Sequence, residues 1–318
     1  MNAIHEDFSS ELSPRWHRYV VGNAKLESTD TPERGTGSTL RFVNTDTSSS
    51  HYTDAQIDDY QGLPRRRFPW HPPLTLTVRA RFSHPAGTLS GTAGFGFWND
   101  PFMMTGARLP TLPRAIWFFY ASPPSNMRLH VHNPGHGWKA ATIDAIQLPF
   151  FLLAPTAPLA VVLMNFHPLY RALWPVGQRA IGVSEALVEA DMTVWRTYVI
   201  EWGIERARFS VDGESVLDCD TPPRGPLGFV MWLDNQYAVV TPWGRFGYGR
   251  LNSPGNQWME VDMLVIEPGQ NLGWVCRCAS QTAKCDVDRS VDFLYWGRSW
   301  RGLRHPWLGL LGIEDQRS

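Results

Sequence analysis

The sequence predicts an all-β fold, two antiparallel sheets packed as a sandwich or jelly roll and interrupted by one helical insertion. Three observations predict it. Short apolar-polar alternations recur between Gly/Pro turns. An Asp-Gly pair joins two such runs. The 318 residues include 27 Gly, 25 Pro, 16 Phe, 15 Trp and 9 Tyr, yet only 19% are charged, below the roughly 25% of an average soluble domain.

The elements follow in order. Residues 28–60, rich in Ser, Thr and Asp, read as loops with edge strands. In Leu74 to Phe82, Leu74, Leu76, Val78, Ala80 and Phe82 face one way and Thr75, Thr77, Arg79 and Arg81 the other. That period of two is a half-buried strand. Ala93 to Trp98 is a second strand, whose glycines signal a close backbone approach or a bulge. Arg114 to Tyr120 is a third and Met127 to His132 a fourth. A helical insertion spans about 150–190. Trp195 to Trp202 resumes the strands. Ala207 to Val211 then meets Glu214 to Leu217 across Asp212-Gly213, where a type I′ turn needs positive φ twice. Leu227 to Leu233 and Met259 to Ile266 close the set. Residues 1–267 therefore form the sandwich domain, and 268–318, with Trp274, Trp296, Trp300 and Trp307, form a C-terminal extension.

Composition narrows the function. With 29 Lys+Arg against 30 Asp+Glu, no basic excess points to nucleic acid. No basic start followed by an apolar stretch precedes Trp16, so the expected compartment is cytoplasmic. Cys219, Cys276, Cys278 and Cys285 lack paired zinc-site spacing and read as reduced thiols. Leu148 to Met164 is apolar but carries Pro149, Pro155 and Pro158, which a clean spanning helix does not. Residues 148–174 either pack on the sheet or lie on a membrane surface as a peripheral anchor.

Three groups of residues carry a resemblance. Glu6 to Trp16 looks like the opening of concanavalin A-like lectin/glucanase domains. Trp195, Tyr198 and Trp202, followed by Phe209, Val211, Asp212 and Gly213, are similar to a signature of that superfamily, nearest to family 16 glycoside hydrolases. Met259, Val261, Asp262 and Val265 resemble their closing strand. The resemblance implies a jelly roll whose concave face binds glycans. It also implies a structural Ca²⁺ near Asp262 as a possibility, with no other cofactor. The enzymes' Glu-x-Asp-x-Glu strand should follow the Trp-bearing strand. Here that place is Arg114 to Tyr120, which has no carboxylate.

The expected function is thus a non-catalytic carbohydrate- or small-ligand-binding sandwich with an aromatic-lined concave face. Its candidate residues are Trp98, Asn99, Asp100, Trp117, His130, His132, Trp232, Asp234, Asn235, Tyr237 and Trp243. Trp beside carboxylate and amide suits sugars, which stack on rings and hydrogen-bond through hydroxyls. The same residues also suit core rings and turn hydrogen bonds. Were the chain a divergent hydrolase or lyase, Asp100 and Asp234 would be its acids. An enzyme acting on a lipophilic substrate in the same cavity is the other alternative. Partners are therefore a carbohydrate or an apolar small molecule, with a membrane surface through 148–174.

Overall fold

Between Leu74 and Phe82 every second side chain is buried, and the strand they form lies near the centre of one sheet. A computed structural model describes residues 3–9, 11–30, 38–102 and 109–269. The first strands are β1 (Ile4–Glu6), β2 (His17–Val21), β3 (Ala24–Asp30), β4 (Ser38–Thr47) and β5 (Asp54–Asp58). Then come β6 (Leu74–Phe82), β7 (Thr92–Trp98), β8 (Arg114–Ala121) and β9 (Gly137–Asp144). The insertion holds α1 (Leu148–Leu153), α2 (Ala157–Leu163) and α3 (His167–Ala180). After it run β10 (Ser184–Leu187), β11 (Arg196–Trp202), β12 (Ala207–Val211), β13 (Glu214–Cys219) and β14 (Gly228–Asp234). Last are β15 (Gln236–Val240), β16 (Phe246–Arg250) and β17 (Ser253–Pro268).

The first sheet has the order β13-β12-β11-β6-β17-β4-β3, with β1 also on β17. The second has the order β10-β9-β8-β7-β14-β5-β2, and β15 and β16 form a separate hairpin. The core lies between the sheets. Tyr198 of β11 meets the rings of Phe95, Phe118 and Trp138 from the second sheet at 5.3, 5.1 and 5.6 Å. Burying each such ring contributes about 1.5–3 kcal/mol. Asp212 and Gly213 turn β12 into β13 with φ of 50° and 86°, the double positive φ of a type I′ turn.

Three expectations need correction. Met127 to His132 is a loop, not a strand. Asn126 bridges Val239 and Met127 N–H donates to the Gly135 carbonyl, so the backbone pairs locally and no ladder is left for the alternation to use. The strand that follows β8 and pairs with it is β9 instead. The helices end at Ala180, and 184–187 pairs with β9 as an edge strand. Residues 28–60 hold β4 and β5, each between two neighbours in its sheet; alternate apolar residues such as Leu40, Phe42, Ala55 and Ile57 sit in the core despite the polar composition. The Gly-aromatic stretch 241–250 turns the β15–β16 hairpin and forms its second strand. Among the described residues, no helix is long and apolar enough to cross a membrane. Cys219 is buried in the core; Cys276, Cys278, Cys285 and most of the 268–318 extension lie outside the described residues.

Candidate ligand-binding hollow

The second sheet is apolar on both faces. On β8, Ile116, Phe118 and Tyr120 enter the core, while Ala115, Trp117, Phe119 and Ala121 line a hollow of about 280 Å³ on the opposite face. Tyr60, Phe68, Trp98, Val230 and Trp232 form a second apolar cluster there, with Trp117, Phe119 and Ile143 packed against it. The rings make a continuous floor. Centroids are 5.9 Å apart for Trp98–Trp117, 5.6 Å for Trp117–Trp232, 5.2 Å for Trp117–Phe119 and 5.8 Å for Phe119–Trp232.

Local sequence explains this floor. β7 lies between β8 and β14, with Gly94 opposite Phe119 and Trp232, and Gly96 opposite Trp117 and Val230. A Cβ on Gly94 would sit 2.9 Å from the Trp232 ring and closer still to the Phe118 carbonyl oxygen. The two glycines therefore leave the space over β7 that the neighbouring rings fill. Two of the floor's indole hydrogens are satisfied within the protein. Trp98 Nε1–H donates to Tyr60 Oη at 2.6 Å, and Trp232 Nε1–H to Thr92 Oγ1 at 2.9 Å.

One end of the floor is polar. Asp54 and Asp234 are directly opposed across β5 and β14, and Gln56 lines the hollow beside them. Asp234 Oδ1 accepts from Thr92 N, Thr92 Oγ1 and Gln236 N at 3.1, 2.8 and 3.0 Å. Burial nonetheless pushes its carboxyl up to about 6, with those donors opposing the shift. Asp54 is held well above the carboxylate range, by burial and then by the Asp234 charge; Tyr52 Oη donates to its Oδ2 at 2.9 Å. At the other side Lys139 and Glu185 form a buried ion pair at 3.1 Å. Burial lowers the lysine and raises the glutamate, each charge opposing the shift on the other.

The structure separates the predicted residues into two groups. Trp98, Trp117, Trp232, Asp234 and Tyr237 line the hollow. The others do not. Asn99 instead binds the Leu112 carbonyl and the Arg114 N–H. Asn235 ties Thr53, Ser48, His51 and Leu251 together through its amide. Trp243 packs on Tyr170 of α3, with centroids 5.1 Å apart. His130 and His132 lie on a loop with rings 5.7 Å apart, so they share no strand face. Asp100 and Asp234 cannot act as a pair. Trp98 aligns with Gly228 and Thr92 with Asp234, so six residues of strand, about 20 Å, separate their ends of the sheet.

Asp262 does not fit a Ca²⁺ site, because its carboxylate already holds the Arg79 guanidinium. Among the described residues no three His, Cys, Asp or Glu side chains gather to hold a metal. Sequence reading missed Phe119, Gln56, Asp54 and the Lys139–Glu185 pair. The signal for Phe119 was present, since its strand alternates rings with rings. That for Asp54 and Gln56 lay hidden in a stretch whose polar composition reads as loop.

No family model matches the sequence, and no curated protein matches it. Solved structures are similar to it. An endo-β-1,4-glucuronan lyase from the fungus Trichoderma reesei shares 13% identity over 84% of this chain and 95% of its own, with a TM-score of 0.44. A GlcNAcα1-4Gal-releasing endo-β-galactosidase from Clostridium perfringens shares 13% over 83% of this chain and 61% of its own, with a TM-score of 0.47. A family 16 endo-glucanase from Bacteroides ovatus shares 10% over 83% of this chain and 99% of its own, with a TM-score of 0.46. The two large antiparallel sheets make this chain a two-sheet β-sandwich with a helical insertion, the architecture that the sequence predicts.

Proposed function

We propose that the protein is a non-catalytic binder of a small apolar molecule, held in the hollow on the aromatic floor. The observation that carries this reading is the unbroken contact of Trp98, Trp117, Phe119 and Trp232 across three strands. With the indole hydrogens of Trp98 and Trp232 already bonded, a ligand meets ring faces there rather than polar groups. Ala115, Ala121, Ala141, Ile143 and Val230 continue the same apolar lining. The strand that the resemblance puts in the place of the family 16 acid-bearing strand presents Ala115, Trp117, Phe119 and Ala121 to the hollow, which argues against their reaction.

A carbohydrate is the second reading. Gln56, Thr92 and Asp234 at the end of the floor supply the hydrogen-bonding groups that a stacked sugar ring needs. Intrinsic tryptophan fluorescence, titrated with pyrene, farnesol, and cello- and laminari-oligosaccharides, separates the two. Saturable quenching by the lipophiles, lost in Trp117→Ala, is the expected result. Saturation by an oligosaccharide alone would transfer the site to glycans, and no saturation by any probe would overturn both readings.

A further inference from the structure

The helical insertion leaves its apolar residues uncovered. Neither α1 nor α2 buries a single side chain. Leu148, Leu152, Leu159, Val162 and Phe166 are each 63–70% exposed. Soluble chains rarely show so contiguous an apolar surface without a partner.

The charge around this surface indicates what covers it. Residues 101–143, 145–184 and 235–259 contain no Asp or Glu at all, yet carry eight Lys and Arg, of which Arg114 and Lys139 pair with Asp144 and Glu185 beside these stretches. The fold brings these three stretches together. Trp174 Nε1–H of α3 donates to the Leu129 carbonyl at 2.9 Å, and Asn165 Nδ2–H donates to the Trp243 carbonyl at 3.2 Å. The Val240 N–H donates to the Asn126 carbonyl at 3.0 Å. Arg171, Arg179, Arg245 and Arg250 are exposed on them, and no carboxylate pairs with these four among the described residues. On the hairpin Phe246 and Tyr248 are exposed at 77% and 84%.

We propose that α1, α2, the exposed face of α3 and the β15–β16 hairpin dock on a lipid bilayer bearing anionic headgroups. Apolar side chains enter the acyl boundary while arginines remain at headgroup level, the division of labour of an interfacial helix. The exposed arginines of this surface, unpaired among the described residues, select a negatively charged membrane. Met127, Leu129, Tyr237 and Val240 belong to the same stretches and line the hollow, so docking brings the bilayer beside it.

Flotation of the full chain with vesicles tests this directly, and needs no ligand in the hollow. Vesicles of phosphatidylcholine alone are compared with vesicles containing about one third phosphatidylglycerol, at low and high salt. The chain is expected to float with the anionic vesicles at low salt, and to float with the neutral ones at least about fivefold less. Leu152→Asp combined with Val162→Asp abolishes flotation, and neither side chain is needed for folding because neither is buried. Arg171→Glu with Arg179→Glu weakens it tenfold or more, at about 1 kcal/mol for each basic residue near the surface. No flotation on either vesicle, or equal flotation on both without salt dependence, overturns the proposal. A stable dimer that Leu152→Asp dissociates also overturns it, by assigning the face to a second copy. Pyrene titration of the same variants reads the hollow alone, so failure of docking and failure of ligand binding remain distinguishable.

Discussion

Trp117 and Trp232 stand on strands that do not pair with each other, yet their ring centroids lie 5.6 Å apart. β7 runs between them, and two strand spacings amount to about 9.5 Å. The rings close that distance because Gly94 and Gly96 put no side chains beneath them. A backbone choice on one strand thereby joins the aromatic residues of its two neighbours into a single surface.

Gly94→Ala is expected to disturb that surface most directly. The new Cβ meets the Phe118 carbonyl and the Trp232 ring, and the carbonyl belongs to a central strand that has little room to shift. Overpacking of this kind costs about 1–3 kcal/mol. Urea unfolding should show the loss, and a pyrene titration should show weaker binding.

Trp117→Ala should leave the fold largely intact, because Trp117 is half-buried and the core on the other face does not use it. The stability cost should fall below the roughly 3–5 kcal/mol of a fully buried Trp→Ala. Affinity for a lipophilic probe should fall about tenfold or more, which is ~1.4 kcal/mol. A variant that binds as tightly as the native chain would place the ligand elsewhere.

Stability should decline as the solution becomes alkaline. Burial raises Asp54 well above the carboxylate range, Asp234 to about 6 and Asp59 to about 7. The folded chain therefore keeps protons that the unfolded chain, with carboxyls near 3.9, releases. Their contribution is complete below about pH 4 and is lost as the pH rises through about 6 and 7. Calorimetry should give a higher Tm at pH 5 than at pH 8. Asp54→Asn should raise the Tm at pH 8 and change it little at pH 5. A Tm that climbs steadily towards pH 8 would contradict this assignment.

The Lys139–Glu185 pair should behave as a unit. Both side chains are about 5% exposed, and Lys139 Nζ also donates to the Pro134 carbonyl at 2.5 Å. Removing one partner strands a buried charge, at a cost of about 3–5 kcal/mol. Lys139→Met or Glu185→Leu alone should therefore destabilise strongly. The double substitution Lys139→Met with Glu185→Leu should recover much of the loss, and a double-mutant cycle in urea measures the difference.

The fold was legible wherever one face of a strand is wet. β6 alternates apolar with polar side chains, and Asp212-Gly213 offers the two positive-φ positions of its turn. Where the pattern failed, pairing partners decided. Met127 to His132 alternates as well as β6 does, but its backbone bonds locally and β9 takes the strand position. The stretch holding β4 and β5 reads as loops with edge strands, because polar residues on one face of a buried strand resemble polar residues in a turn.

For the site, residue order alone already set rings above acids. It placed Trp98, Trp117 and Trp232 at strand positions, with no carboxylate on the strand after β7. The tertiary structure alone decided which of the paired candidates meet. Strand register sets Asp234 opposite Asp54 and far from Asp100, and it brings Phe119 to Trp232 across a glycine. Alternation along a chain specifies which face a side chain takes, since each strand has a period of two. It is silent on which strand lies beside which, because that choice is made by hydrogen bonds and packing between segments distant in sequence.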